Sequence, residues 1–354
     1  MGTTNVRHRL FEPPSPERPP SLLAAICCSI LPLLLIAWNQ MFLVLGIAGM
    51  PSTWVDVLTL DLGLDKMLEE SRSPLTGMIS AFGTLLAFVR PTIPGNSPRL
   101  LRTLFPLGAW LLFSDEATVT PSKDIDDGCP ESFFYVNGIC TTRRMALATG
   151  AELSQMFGRD VTVVHNPTDS IVIDLLECVF AKLWAGQSFA TSRPCDLLVD
   201  KLVEALQDPK KAKVILVAHS QGTIIAGDAL RRLSQAVEDG KLAQDAMKKL
   251  EIYNLANASH WMHQSEDGFP YIESICNQRD PVGMLGANAP PRVKKMWNIS
   301  IAGALIHPTT SRWGHMISAH YLKHLKNCDY PGSKLHTYMS NAKVPEKITA
   351  PSQS

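Results

Sequence analysis

The sequence predicts an α/β fold, a mainly parallel sheet with helices on both faces, preceded by an apolar N-terminal segment. Three observations predict it. Short β-branched and aromatic runs alternate with helix-length amphipathic stretches from about residue 130 onward. The strand candidates are continuously apolar, the pattern of strands covered on both faces. A charge-free run stands near the N-terminus, ahead of all of them.

That N-terminal run decides the organisation of the first third. Residues 1–20 are polar and Pro-rich, carry Arg7, Arg9 and Arg18, and read as a disordered tail. Val6 stands where a myristoylation signal needs Ser or Thr. From Pro19 to Val55 there is no charged residue, and Leu22 to Trp38 is apolar apart from Ser29 and Pro32. A bilayer core of ~30 Å needs about 20 such residues in a helix, so residues 21–50 are expected to form a single transmembrane anchor. Three arginines precede the run, whereas residues 51–70 hold only Lys66, which puts the N-terminus in the cytoplasm and the body on the lumenal or exterior side. Two other readings stay open: a cleaved signal peptide with Gly46 and Ala48 before the cut, and a buried helix. Residues 51–129 read as an apolar helical extension and linker. Its runs Met78–Val89 and Leu104–Phe113 are each too short to span, and Asp115–Cys129 is polar and turn-rich.

A domain is expected over residues 130–330, with a tail at 331–354. Phe133–Val136 reads as a strand, Asn137-Gly138 as a tight loop and Thr141–Phe157 as a helix. The unit repeats as Val161–Val164 with Ser170–Leu183, then Val214–Val217 with Gln221–Val237, followed by strands Ile252–Leu255 and Tyr271–Cys276. Such sheets place their chemistry at the C-terminal ends of the strands.

Composition excludes some functions and leaves others. Lys plus Arg and Asp plus Glu are each 33 in 354 residues, so no basic stripe recommends nucleic acid as a partner. The eight cysteines form no CxxC pair, so a zinc ribbon has no support, and no cofactor or metal is expected. Cys129, Cys140, Cys178, Cys195, Cys276 and Cys328 are read either as up to three disulfides or as buried thiols. His260 and His263 have the spacing of a metal pair but lack a third ligand, and read as structural. Asn257 and Asn298 head glycosylation sequons, whereas Pro167 excludes Asn166.

The chemistry-bearing element follows the strand Val214–Val217. Ala218-His219-Ser220-Gln221-Gly222 joins it to a helix, the context in which a sharp strand-to-helix turn exposes a nucleophilic serine. Small residues must flank that serine at two positions to either side. Ala218 stands where glycine is usual, and Gly222 keeps the second. The competing reading is a serine that only caps the helix.

With those residues, the chain resembles the serine esterases and lipases of the α/β-hydrolase superfamily over roughly Phe133 to Leu325. The resemblance implies an α/β-hydrolase-like sheet and the chain order Ser, acid, His. Asn277-Gln278-Arg279-Asp280-Pro281-Val282 looks like the acid loop and Trp313-Gly314-His315 like the histidine loop, which makes Ser220, Asp280 and His315 the candidate triad. Asp267 and Glu273 compete for the acid, and His320 for the base. By the same resemblance, the oxyanion donors are the amide of Gln221 and one from the Gly138-Ile139 loop. The expected function is hydrolysis of a carboxylic ester or lipid at a membrane. An acyltransferase on the same fold and a catalytically inactive lipid- or protein-binding scaffold are the alternatives.

Overall fold

The computed structural model describes residues 52, 56–61, 117–121, 129–139, 141–167 and 193–339. Among these residues seven strands form one sheet: β1 (Thr118–Pro121), β2 (Glu131–Val136), β3 (Val161–His165), β4 (Lys213–His219), β5 (Leu250–Leu255), β7 (Tyr271–Ile275) and β9 (Ala304–Ile306). Their order is β1-β3-β2-β4-β5-β7-β9. Every neighbouring pair is parallel except β1–β3. β6 (Trp261–Met262) and β8 (Ser300–Ile301) pair in a small sheet of their own. The protein is therefore α/β, with a mostly parallel mixed sheet.

Side-chain alternation divides the core into two layers. Phe134, Val136, Val214, Leu216 and Ile252 face one side, where α2 (Arg193–Gln207) and α3 (Gln221–Glu238) cover them. Phe133, Tyr135, Ile215, Val217 and Tyr253 face the other, against α1 (Arg143–Phe157) and the C-terminal segment. Both faces are apolar because both are covered, which explains the unbroken apolar strands. Helix α1 begins two residues later than its pattern suggests, since Thr142 is its N-cap and accepts from the Met145 amide. Gly158, left-handed at φ 62°, closes it. Helix α2 turns Leu198, Leu202 and Leu206 inward, and each such burial contributes ~1.5–3 kcal/mol.

Two boundaries differ from the sequence expectation. β1 lies within the stretch read as linker: its four residues (Thr-Val-Thr-Pro) are too short for an alternation signal, and it pairs antiparallel as an edge strand. The expected tail contains a 3₁₀ turn, Lys334–Tyr338, that is packed on the domain by buried Leu335 and by the Tyr338 hydroxyl on Glu251. After α4 (Pro291–Met296) and the histidine loop, a π-helical turn, Ser318–Leu322, runs into α5 (Lys323–Lys326).

The expected span 21–50, the apolar runs 78–89 and 104–113, and the helix Ser170–Leu183 lie outside the described residues. Among the described residues no helix is long and apolar enough to cross a membrane. Residues 56–61 are described and dock on the domain: the Asp61 carboxylate accepts from the Ser318 and Ala319 amides at 2.8 and 2.9 Å, and Asp56 pairs with Lys323.

Candidate active site

The strand order places the site. From β2 the chain moves outward to β3, then crosses back over β2 to β4, so the loops after β2 and β4 diverge and leave a crevice at their C-terminal ends. Gly138 follows β2 and Ser220 follows β4, and they meet there. A Cβ on Gly138 would lie 2.6 Å from the Ser220 Cβ and 3.1 Å from its Oγ, so this position admits only glycine at that separation.

Ser220 sits at φ 56°, ψ −125°, a region that L-residues rarely occupy, held by its own amide on the Leu255 carbonyl at 3.1 Å. It occupies the N-cap position of α3, yet its hydroxyl makes no capping bond. The cap reading fails on that geometry. Gly222 explains the tight turn, because a Cβ there would stand 2.5 Å from the Val136 carbonyl oxygen. The Thr223 hydroxyl donates to the Ser220 carbonyl and accepts from the Ala258 amide, tying the start of α3 to the end of β5.

The Ser220 Oγ instead meets the His315 Nε2 at 2.9 Å. On the ring's other side, His315 Nδ1 lies 3.0 and 2.9 Å from the two Asp280 oxygens. The acid follows β7 and the histidine follows β9, and the backbone bridge between Arg279 and Trp313 holds their loops side by side. All three residues are buried: Ser220 is 3% exposed, Asp280 0% and His315 6%. Burial by itself would raise the Asp280 pKa. The His315 ring, the Tyr321 hydroxyl at 2.5 Å and the Val282 amide at 2.8 Å outweigh it and hold the carboxyl below its ordinary range.

The competing residues are placed elsewhere. Asp267 lies in an exposed turn between β6 and β7. Glu273 is buried within β7, where Ser333, the Lys334 amide and Tyr271 satisfy it. His320 accepts the Met316 amide on Nδ1 at 3.0 Å and is pushed down to about 4 by burial and by the neighbouring His315, so it is a neutral packing group of the histidine loop. His219 is pushed down to about 3 by burial and His315, and its Nε2–H donates to the His315 carbonyl at 2.8 Å. A neutral imidazole thus pins the backbone of the candidate base.

Four supporting groups have no motif in the sequence to mark them. Tyr321 accepts from the Asn277 amide while donating to Asp280. Asn277 donates to the Gly314 and His320 carbonyls and accepts from Tyr330. Asn137 donates to the Gly138 and Asn166 carbonyls and accepts from the Asn166 amide. Asn166 in turn donates to the Gln221 side chain at 2.5 Å. Asn137 holds the Gly138 carbonyl, and the trans peptide then turns the Ile139 N–H the opposite way. Gln221, the first residue of α3, has an amide with no partner inside the helix.

No family model matches the chain, and neither a curated protein nor a solved structure does. The arrangement itself carries the reading.

Among the described residues no three His, Cys, Asp or Glu side chains are grouped to hold a metal ion. The His263 ring lies tilted by 32° against Trp261, 4.5 Å between ring centres. Cys195 and Cys276 are buried thiols and Cys328 an exposed one, none in a disulfide, while Cys140 and Cys178 lie outside the described residues. The Asn257 sequon is closed to a glycan, because Asn257 is fully buried and its amide donates to Ser274. Asn298 is exposed.

Proposed function

We propose that the protein is an α/β-hydrolase-like serine hydrolase that cleaves a carboxylic ester through an acyl-enzyme on Ser220, carried at a membrane by residues 21–50. The single observation that supports this best is the continuous chain of contacts Ser220–His315–Asp280, with both imidazole nitrogens engaged at 2.9 Å and the serine in a strained turn.

In this mechanism the Ser220 Oγ attacks the acyl carbon as its proton passes to His315 Nε2. Asp280 fixes the tautomer with the proton on Nδ1 and stabilises the imidazolium that forms. The developing oxyanion is met by the Gln221 amide and by an amide of the Gly138-Ile139 loop, and loss of one such donor costs ~10²–10³ in turnover. His315 returns the proton to the leaving alkoxide. Water then attacks the acyl-enzyme, giving its proton to His315, and the collapsing intermediate frees the acid and Ser220.

A fluorophosphonate tests the reading. Folded wild-type protein is expected to be labelled and Ser220→Ala is not. Absence of label on the folded wild type, or equal label on both, would refute it.

A further inference from the structure

The chain as a whole is charge-balanced, but the segment from Arg279 to Trp313 is not. It holds Arg279, Arg292, Lys294, Lys295 and Arg312 against one carboxylate, Asp280, which is fully buried in the candidate triad. Arg312 is neutralised by Asp329. Among the described residues the other four cations form no ion pair. The same segment contains four of the five large apolar side chains that stand exposed in the described residues: Met284 at 41% and Leu285, Leu305 and Trp313 at 40%. The fifth, Leu60, belongs to the segment docked beside the histidine loop.

The segment links the acid loop to the histidine loop. Arg279 and Trp313 precede Asp280 and His315 directly or by two residues; they are joined by a backbone bridge, and the Arg279 guanidinium lies 5.6 Å over the Trp313 ring. Met284 and Leu285 follow in the 3₁₀ turn just after the acid, and the Ala287 amide fastens that loop to Asn257 at the end of β5. Arg292, Lys294 and Lys295 share the short α4.

We infer that this cationic and apolar rim, Arg279 to Trp313, is a docking surface for the anionic headgroups of a lipid bilayer, and that the substrate is an ester resident in that bilayer. Unpaired cations beside protruding apolar and aromatic side chains match a leaflet's charged surface and apolar boundary, respectively. Continuity of the chain supports the same occupant. Asp56, bound to Lys323, is the first charged residue after the charge-free run Pro19–Val55, so the run proposed as the anchor leads directly into a side chain fixed to the histidine-loop helix. The substrate assignment rests on the proposed hydrolase reading. The docking surface does not.

The test uses the full chain in nanodiscs of phosphatidylcholine alone or with phosphatidylserine, each with brominated acyl chains that quench nearby tryptophan. A quenched component is expected in the anionic discs, absent in Trp313→Phe and suppressed by high salt. The triple variant Arg292→Gln, Lys294→Gln, Lys295→Gln is expected to lose that component. It should also cut hydrolysis of a bilayer-resident lipid ester about tenfold or more, since each cation near an anionic surface is worth roughly fivefold in partitioning. Its hydrolysis of a dissolved short-chain ester should be unchanged. Equal quenching in neutral and anionic discs, or a Trp313 that neither bromine nor aqueous acrylamide reaches because another segment or a protein covers it, would overturn the surface. If quenching follows the predicted pattern while neither ester is cleaved, the hydrolase reading fails and the surface stands.

Discussion

At the scale of single residues, the site depends on separations that leave no room for an added methyl group. At Gly138 the backbone needs no left-handed conformation, so alanine is barred there by contact alone, with Ser220 and with the His219 carbonyl. Gly138→Ala is expected to lower kcat about a hundredfold through displacement of the Ser220 hydroxyl or the oxyanion loop, with Tm lowered by a few degrees. Steady-state kinetics beside a thermal melt checks this, and full activity in the folded variant would contradict the placement of the loop. Ser220, Asp280 and His315 were legible as candidates through the family resemblance, because a small-x-Ser-x-Gly turn between strand and helix, followed by an acid and a histidine in the order that the resemblance implies, is a one-dimensional pattern. Tyr321, Asn277, Asn137 and Asn166 were not legible. Their roles depend on side-chain contacts between loops that only the closed sheet brings together.

Among the elements, the contact between residues 56–61 and the helix after His315 is the one whose strength should follow pH. Burial raises the Asp61 carboxyl to about 7, offset in part by the Ser318 and Ala319 amides, with Glu152 adding repulsion and His315 attraction. The groups around it are Glu152, bound to the Ser318 hydroxyl and Lys326, and the Asp56–Lys323 pair. An undocked carboxyl has its ordinary value of 3.8, so between the two values the docked state holds a proton that the free state has lost. Docking is therefore firmest below about pH 4 and weakens as pH rises through about 7. Hydrogen exchange at the Ser318 and Ala319 amides should show protection falling across that range, and Asp61→Asn should flatten the dependence. Protection that rises with pH would contradict the assignment. Strands β2 to β5 and β7 and helices α1 and α3 could be read from their runs and periods. Helix α2 carries its own signal in Leu198, Leu202 and Leu206, which a strand-led reading passes over, whereas β1 and β9 are too short to carry any.

Across the whole molecule, the two ends of the sheet differ in kind. At the N-terminal ends Glu251 is buried, which alone would raise its pKa, but Lys213, Lys334, Tyr338 and Tyr253 hold it down to about 2 and close the bottom of the sheet. At the C-terminal ends stand the strained serine, the histidine whose backbone is pinned by His219, and the loops that begin and end the cationic and apolar segment. Strain and buried polar groups are tolerated at the end where loops can carry chemistry. The most direct measurement of the central claim is a rapid-mixing experiment with a p-nitrophenyl ester, followed by peptide mapping of the quenched protein. The account predicts a burst of one nitrophenolate per folded chain, an acyl group mapped to Ser220, and loss of both in Ser220→Ala. A burst that persists in that variant, or an acyl group mapped to another residue, would contradict it.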